Sequence, residues 1–512
     1  MAKKRATNNE ASTRQTGRRT PPTRPRAPEP PRAPLHMPRW VLPFILCVYV
    51  VLTAALIARV PYGATPDEIE HLRFARYVAE HRALPYFERQ VPESDNSAVR
   101  GGNAPGFEYH QPPLYYVVCA PLIALVPPDL QFYVTRLVSL WCGVLTLVLL
   151  WRSIRALWPH DPLPAAVATG FAALWPFHQS VGAMTNNDAM AGLAAAAVFH
   201  HIAHIGARGW RGRDAAILGL LIGLGILSKS TSLVLGIMAL GAAWHFSGMG
   251  RPGMGRPGIS NEQRVPDATA NDNAHDEGAP ENKSVAPRVR AALLLIVVTL
   301  LVCGPWMVRN QVLYGDLLAL GAISQRFENI GSRTWMFFAS GYTLDTYLRN
   351  VVLILFCTTW GFFGGPGRAN TMLNPWGVRG PVALLEMGPL AVSVTVIGML
   401  VCVVATAVAL AGLLRASRRW AELPTNMRAV LGWWGIGALL IFAAWARFNF
   451  IQFQAQARYL HPALLPFALA FAIGWLQLLG RGRALRIGAI ILGLTVVGLT
   501  LWNVFGWRTL TD

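Results

Sequence analysis

The sequence predicts an all-α fold, a polytopic membrane protein of about eleven transmembrane helices with juxtamembrane helices in its outer loops. Three observations lead there. Of 512 residues, 53% are hydrophobic and only 14% charged. Apolar stretches of roughly 20 residues, the length that crosses a bilayer, recur along the chain. The formal charge of +19 is carried largely by arginines in the N-terminal tail and in short joins between those stretches, the pattern of segments retained on the cytoplasmic side. That placement also removes the case for nucleic acid as a partner, which so basic a chain would otherwise raise.

Taken in order, residues 1–38 are rich in Arg, Pro and Thr, lack apolar periodicity, and read as a disordered basic cytoplasmic tail able to touch anionic membrane lipids. Arg39 to Tyr62 is too long for a signal-peptide core and is not followed by a clear small-residue cleavage site, so it reads as a retained anchor that carries the chain outward. The first outer loop, 62–131, includes Pro113 to Val126, whose short length and flanking prolines predict a juxtamembrane helix. The next span, about Phe132 to Trp151, ends at Arg152 and Arg155 and therefore returns inside.

Spans near Leu163 to Val181, Ala189 to Ile205, Asp214 to Leu227 and Thr231 to Phe246 follow, with Arg208, Arg211 and Arg213 in an inner join. Residues 247–289 read as a cytoplasmic loop, and Ala291 to Val308 runs outward again to complete a transmembrane module over 39–310. A second outer loop occupies 311–383. Within it Tyr347 to Phe363 reads as juxtamembrane or re-entrant, because a crossing there would leave Arg415, Arg418 and Arg419 outside. Residues 384–512 supply the last spans, about Leu384 to Leu414, Val430 to Trp445, Leu460 to Leu479 and Ile487 to Phe505. The six cysteines are scattered singly in apolar segments, without metal-ligand spacing, and read as small hydrophobes.

Chemistry is concentrated at the outer face. Thr65-Pro66-Asp67-Glu68-Ile69-Glu70-His71 follows the first span. Thr65 and Glu68 have the spacing of a capping box and Pro66 suits a helix start, which accounts for Glu68 as a helix device but leaves Asp67 and His71, four residues apart on one helical face. The same topology brings Glu108, His110 and Gln111, then His178, then Asn186, Asn187 and Asp188, then Lys229, Arg309, Arg447 and Arg458 to outer span ends. Asn186 to Asp188 also read as a simple cap, and each arginine as a residue that snorkels to headgroups. Lys229 is harder to dismiss, being the one lysine within the mapped spans and their short joins. Carboxylates and cations at one face suit a reaction in which an acid accepts a hydroxyl proton while Lys or Arg neutralises a phosphate leaving group.

The ordered motifs resemble the GT-C superfamily of membrane glycosyltransferases. They are the acidic pair after the first span, His110-Gln111-Pro112-Pro113, Asn187-Asp188, Leu227-Ser228-Lys229, Pro305-Trp306-Met307-Val308-Arg309-Asn310 with Tyr314-Gly315-Asp316, and Gln456-Ala457-Arg458-Tyr459-Leu460. The likeness is to bacterial members akin to the aminoarabinose transferase and the protein O-mannosyltransferases, over about Arg39 to Leu479. It implies sugar transfer, usually with inversion, from a polyprenyl-phosphate donor to a glycan, lipid or protein acceptor at the outer face of a bacterial inner membrane.

Carried onto this chain, the resemblance makes Asp67 the catalytic base, with Asp188 and Glu68 as further acids. His71, His110, Gln111, Lys229, Arg309, Arg458 and Tyr459 become substrate-binding residues, with the three cations near the donor phosphate. His110-Gln111 stands where the aminoarabinose relatives carry Glu-Lys, a departure that bears on acceptor binding and leaves a divalent metal open, with no cofactor certain. The alternative from another class is a transporter or flippase for a lipid-linked sugar or a small molecule.

Overall fold

The computed structural model describes residues 37–63, 65–86, 106, 108–249, 285–326, 333–361 and 389–506. Nearly all of the expected tail 1–38, most of the expected loop 247–289 and the end of the second outer loop lie outside the described residues. The helices are α1 Val41–Arg59, α2 Glu68–His81, α3 Leu114–Ile123, α4 Gln131–Leu157, α5 Leu163–Leu174, α6 Pro176–Gly182, α7 Asp188–Arg208, α8 Arg213–Ser228 and α9 Leu233–Ser247. They continue as α10 Ala286–Tyr314, α11 Leu320–Arg326, α12 Thr334–Ala339, α13 Leu344–Trp360, α14 Pro389–Ser417, α15 Thr425–Ile451, α16 Leu464–Leu479 and α17 Arg483–Gly506. Short 3-10 turns at Ser230–Ser232 and Ala457–Ala463 precede α9 and α16. Among the described residues the fold is all-α, and the one extended pairing is an isolated bridge between Arg333 and Gln452.

Nine helical segments among the described residues are long and apolar enough to cross a membrane, α9 and α16 counted together with the 3-10 turns that precede them. Two of the eleven expected spans fall short of that length. The Leu163 to Val181 stretch is broken at Trp175, whose backbone is extended at ψ 116°, and the helix restarts at Pro176. Proline disfavours helical geometry at the residue before it, and here Trp175 takes the extended alternative, so the apolar run divides into two helices. The other, α8, has 16 residues and stops at Lys229.

One buried core joins the spans. α4 packs along α7, α8 along α10, and α14 along α16. The last pair approaches so closely that a Cβ on Gly412 would lie 1.8 Å from the Gly474 carbonyl oxygen. A second buried cluster gathers Trp360 of α13, Cys402 and Ala405 of α14, Trp475 of α16 and Leu492 of α17. Five cysteines are buried and unpaired, whereas Cys47 faces outward, as one position on a lipid-facing helix can.

Above the core, α2 lies on α3 through Phe74, Ala75, Tyr116 and Cys119, with Phe74 stacked on Tyr116 at 3.8 Å. The start of α2 corrects the capping-box expectation. Thr65 Oγ1 is buried without a partner, and Glu68 instead accepts both Nε and Nη2 of Arg136, each at 2.7 Å. Arg136 projects from α4 and also donates to the carbonyls of Ile57, Val60 and Pro61, so it ties the end of α1 to the start of α2. Glu68 further accepts the backbone N–H groups of Gly63 and Thr185. A fully buried ion pair is tolerated only when its remaining polar atoms are satisfied, and this one meets that condition.

Candidate functional site

Asp67 sits immediately before α2 with φ at 60°, a left-handed conformation that aspartate tolerates better than most residues. Its Oδ2 accepts from Arg458 Nη2 at 2.7 Å. The Asp67 side chain is 29% exposed and that of Arg458 9%, so the pair stands at the edge of the buried region with the carboxylate on the open side.

A second pair lies beside the first. Asn186 Oδ1 accepts the Ala189 N–H and so caps α7, which leaves the adjacent Asp188 carboxylate for another partner. That partner is Lys229, whose Nζ donates to Asp188 Oδ1. Lys229 has an extended backbone, φ −158° and ψ 129°, in the break between α8 and the following 3-10 turn. Both cations lie against one ring: Lys229 Nζ is 5.2 Å and Arg458 Cζ 4.9 Å from the Tyr459 centroid. The Tyr459 hydroxyl accepts from Arg458 Nη2 at 2.9 Å and donates to Gln454.

The floor beneath these pairs is a buried histidine couple. His461 Nδ1 donates to the Asp188 carbonyl at 3.3 Å, and its Nε2 lies 3.0 Å from His178 Nδ1. His178 stacks on Tyr49 of α1 at 4.8 Å. The imidazole of His461 fits because α7 has glycine beneath it; a Cβ on Gly192 would lie 2.1 Å from His461 Nδ1.

Asp67, His71 and Glu108 bring one potential ligand atom each within 4.8 Å of one another. His71 Nδ1 lies 2.7 Å from the Tyr116 hydroxyl. Burial pushes the His71 imidazole down to about 4, against the opposing pull of Asp67, so it is neutral near pH 7. Burial, and then the charge of Asp67, push Glu108 up to about 8. Burial alone would raise Asp67, but Arg458 and then His71 hold its carboxyl below the ordinary range. Neutral imidazole with two carboxyl groups is a donor set that suits zinc or manganese, and the buried Glu108 Oε2 has no partner within the protein. Asp188 Oδ2, Asn187 Oδ1 and Arg458 Nε are likewise buried without partners. Asp67, His71 and Glu108 could hold a cation, and beside them Arg458 Nε is a donor left for a hydrogen-bond acceptor.

Contacts therefore join Asp67, Asp188, Lys229, Arg458 and Tyr459, with His71 alongside. Gln111 is tied in through Oε1, which accepts from Asn187 Nδ2 at 3.0 Å. His110 sits half-buried in the turn before α3. Glu68 is turned to Arg136. Arg309 donates to the carbonyls of Leu84 and Pro85, just past the end of α2. Glu108 was legible as an outer polar residue but not as a ligand, because its turn follows residues with no local pattern. His461 carried no sequence signal beyond its place three residues after Arg458, and Tyr116 read as part of an apolar helix.

Residues 110–251 match the family profile described as dolichyl-phosphate-mannose-protein mannosyltransferase. The matched stretch includes Gln111, Asp188 and Lys229. No curated protein sequence matches the chain. Among solved structures, the Archaeoglobus fulgidus oligosaccharyltransferase in the apo form is similar at TM-score 0.49 and 12% identity, covering 90% of this chain and 56% of that one. The same archaeal enzyme, AglB, in complex with an inhibitory peptide and a dolichol-phosphate, is similar at TM-score 0.47 and 13% identity, covering 92% and 56%. ArnT from Cupriavidus metallidurans bound to undecaprenyl phosphate is similar at TM-score 0.37 and 18% identity, covering 90% and 78%. The chain thus spans little more than half the length of the archaeal enzyme.

Proposed function

We propose that this protein is a GT-C-type membrane glycosyltransferase that moves a sugar from a polyprenyl-phosphate donor to an acceptor at the outer face of a bacterial inner membrane, with inversion. The observation that carries the reading is the convergence of two carboxylate–cation pairs, Asp67 with Arg458 and Asp188 with Lys229, on the single ring of Tyr459. The match of residues 110–251 to a mannosyltransferase family supports it.

In the proposed reaction an acceptor hydroxyl attacks the anomeric carbon, the carbon–oxygen bond to phosphate breaks, and polyprenyl phosphate leaves with the bonding electrons. Asp67, the more open of the two acids, takes the hydroxyl proton or orients the hydroxyl before attack. Lys229 and Arg458 meet the charge that grows on the departing phosphate, and guanidinium suits that task because its fork donates two parallel hydrogen bonds. A divalent cation held by Asp67, His71 and Glu108 would add positive charge at the same place. Glu68 and Arg309, both committed to internal partners, are left out of the chemistry. The arginine-rich inner joins support a cytoplasmic N-terminus and an outward-facing site.

The test is turnover of a labelled lipid-linked sugar in membranes containing the protein. Release of free polyprenyl phosphate is expected, and Asp67→Asn should abolish it at unchanged expression. Movement of the lipid across the bilayer with its sugar still attached would instead identify a flippase.

A further inference from the structure

The two cations at the site are already occupied. Arg458 Nη2 is bonded to Asp67 Oδ2, and Lys229 Nζ to Asp188 Oδ1. Two positive and two negative groups cancel, so a phosphate ester arriving here meets a locally neutral site. Bringing an uncompensated charge into a largely buried region costs several kcal/mol. Without a bound metal ion, the incoming charge must therefore be met by the same ammonium and guanidinium that now hold the acids. To these donors a carboxylate oxygen and a phosphate oxygen are alike.

A second observation points to the same exchange. Arg458 uses Nη2 for both Asp67 and Tyr459, while its Nε is buried without any partner. Nε and Nη2 together form one edge of the guanidinium, the edge that grips a phosphate through two parallel bonds. Asp67 holds that edge at one nitrogen only.

We propose that Asp67 and Asp188 are place-holders for phosphate: in the ligand-free protein each carboxylate occupies the position on its cation that a phosphate oxygen of the lipid takes on binding. The two acids compete with the lipid, are released when it arrives, and help expel polyprenyl phosphate when they return. Asp67 is thereby freed from Arg458 at the moment the donor is seated. This deepens the function proposed above and rests on it.

The experiment is equilibrium binding of undecaprenyl phosphate to the purified full-length protein in detergent with EDTA, read by intrinsic tryptophan fluorescence, with undecaprenol as the uncharged control. Asp67→Asn and Asp188→Asn should each bind undecaprenyl phosphate about fivefold to tenfold more tightly than wild type, the size of an ordinary coupling between two ligands of one group. In an Arg458→Ala background the gain from Asp67→Asn should vanish. Equal or weaker affinity in both asparagine variants overturns the exchange while leaving the transferase reading intact, as does an equal gain for undecaprenol. No binding of undecaprenyl phosphate by wild type overturns both. If Asp67→Asn does not fold, as judged by gel filtration, the Asp188→Asn and Lys229→Ala pair decides in the same way.

Discussion

The Tyr116 hydroxyl lies 2.7 Å from Nδ1 of His71, across the packed faces of α3 and α2. With Nδ1 engaged, Nε2 is the nitrogen left to serve a cation beside Asp67 and Glu108. Partners of this kind fix the orientation of a ligating imidazole. Adding manganese or zinc to EDTA-treated protein should therefore raise its thermal midpoint, by the equivalent of about 2.7 kcal/mol at a hundredfold excess over Kd. His71→Ala and Glu108→Gln should each remove the rise, which differential scanning fluorimetry would detect.

Glu108 also sets a pH dependence in metal-free protein. Its folded pKa of about 8 stands above the unfolded value of 4.5, so the folded state holds the extra proton between these limits. Stability from this group is full below pH 4.5 and is lost as pH rises toward 8. Glu108→Gln should match wild type in thermal stability at the acid end and exceed it increasingly toward pH 8. A constant difference across the range would show that Glu108 ionises freely.

Arg136 offers a stability prediction with a mechanism separate from the site. Removing one member of a buried, fully bonded ion pair leaves the other uncompensated, at a cost of about 3–5 kcal/mol. Arg136→Ala should lower the midpoint of thermal unfolding sharply, and so should Glu68→Gln, because the amide keeps one accepting oxygen and turns its NH2 against two of the four donors that the carboxylate accepts. If Glu68→Gln lost turnover with unchanged stability, Glu68 would belong to the chemistry after all.

Gly192→Ala tests the floor. The added carbon would meet His461 within 2.1 Å, and the ring must turn or shift, disturbing its bond to the Asp188 carbonyl. Overpacking of this kind costs about 1–3 kcal/mol. A drop in transfer rate exceeding the loss of folded protein is expected, measured as turnover per folded molecule after gel filtration.

Lys229→Ala should cost both stability and function, since it strands the buried Asp188 carboxylate. Lys229→Arg keeps the charge and should retain most stability while altering donor KM, because the planar fork cannot take the place of a compact ammonium.

The helical spans were legible in the sequence for a simple reason: membrane thickness writes itself into hydrophobic length. Of the two expected spans below crossing length, Leu163 to Val181 is divided at the Trp175-Pro176 step that hydrophobicity alone does not reveal, whereas Asp214 to Leu227 was short already in the sequence and ends, as expected, at Lys229. Asp67, Asp188, Lys229 and Arg458 were candidates because charges near a bilayer are costly and so stand out. Pairing was not readable: Glu68 looked like a cap until Arg136, 68 residues away, proved to be its partner. The place of Glu108 beside Asp67 and His71, and His461 altogether, were hidden because neither spacing nor periodicity reports a contact between distant segments.

The bond between Asp67 and Arg458 joins residues 391 positions apart. At ordinary rates of synthesis, roughly 5–20 residues per second, Asp67 has left the ribosome for tens of seconds before Arg458 exists. During that interval the nascent chain holds its acid without the counter-charge that later secures it, and the bundle has no finished site. Completion of the Asp67–Arg458 pair thus waits on the C-terminal part of the chain, and until that part is made the carboxylate has no guanidinium to hold it.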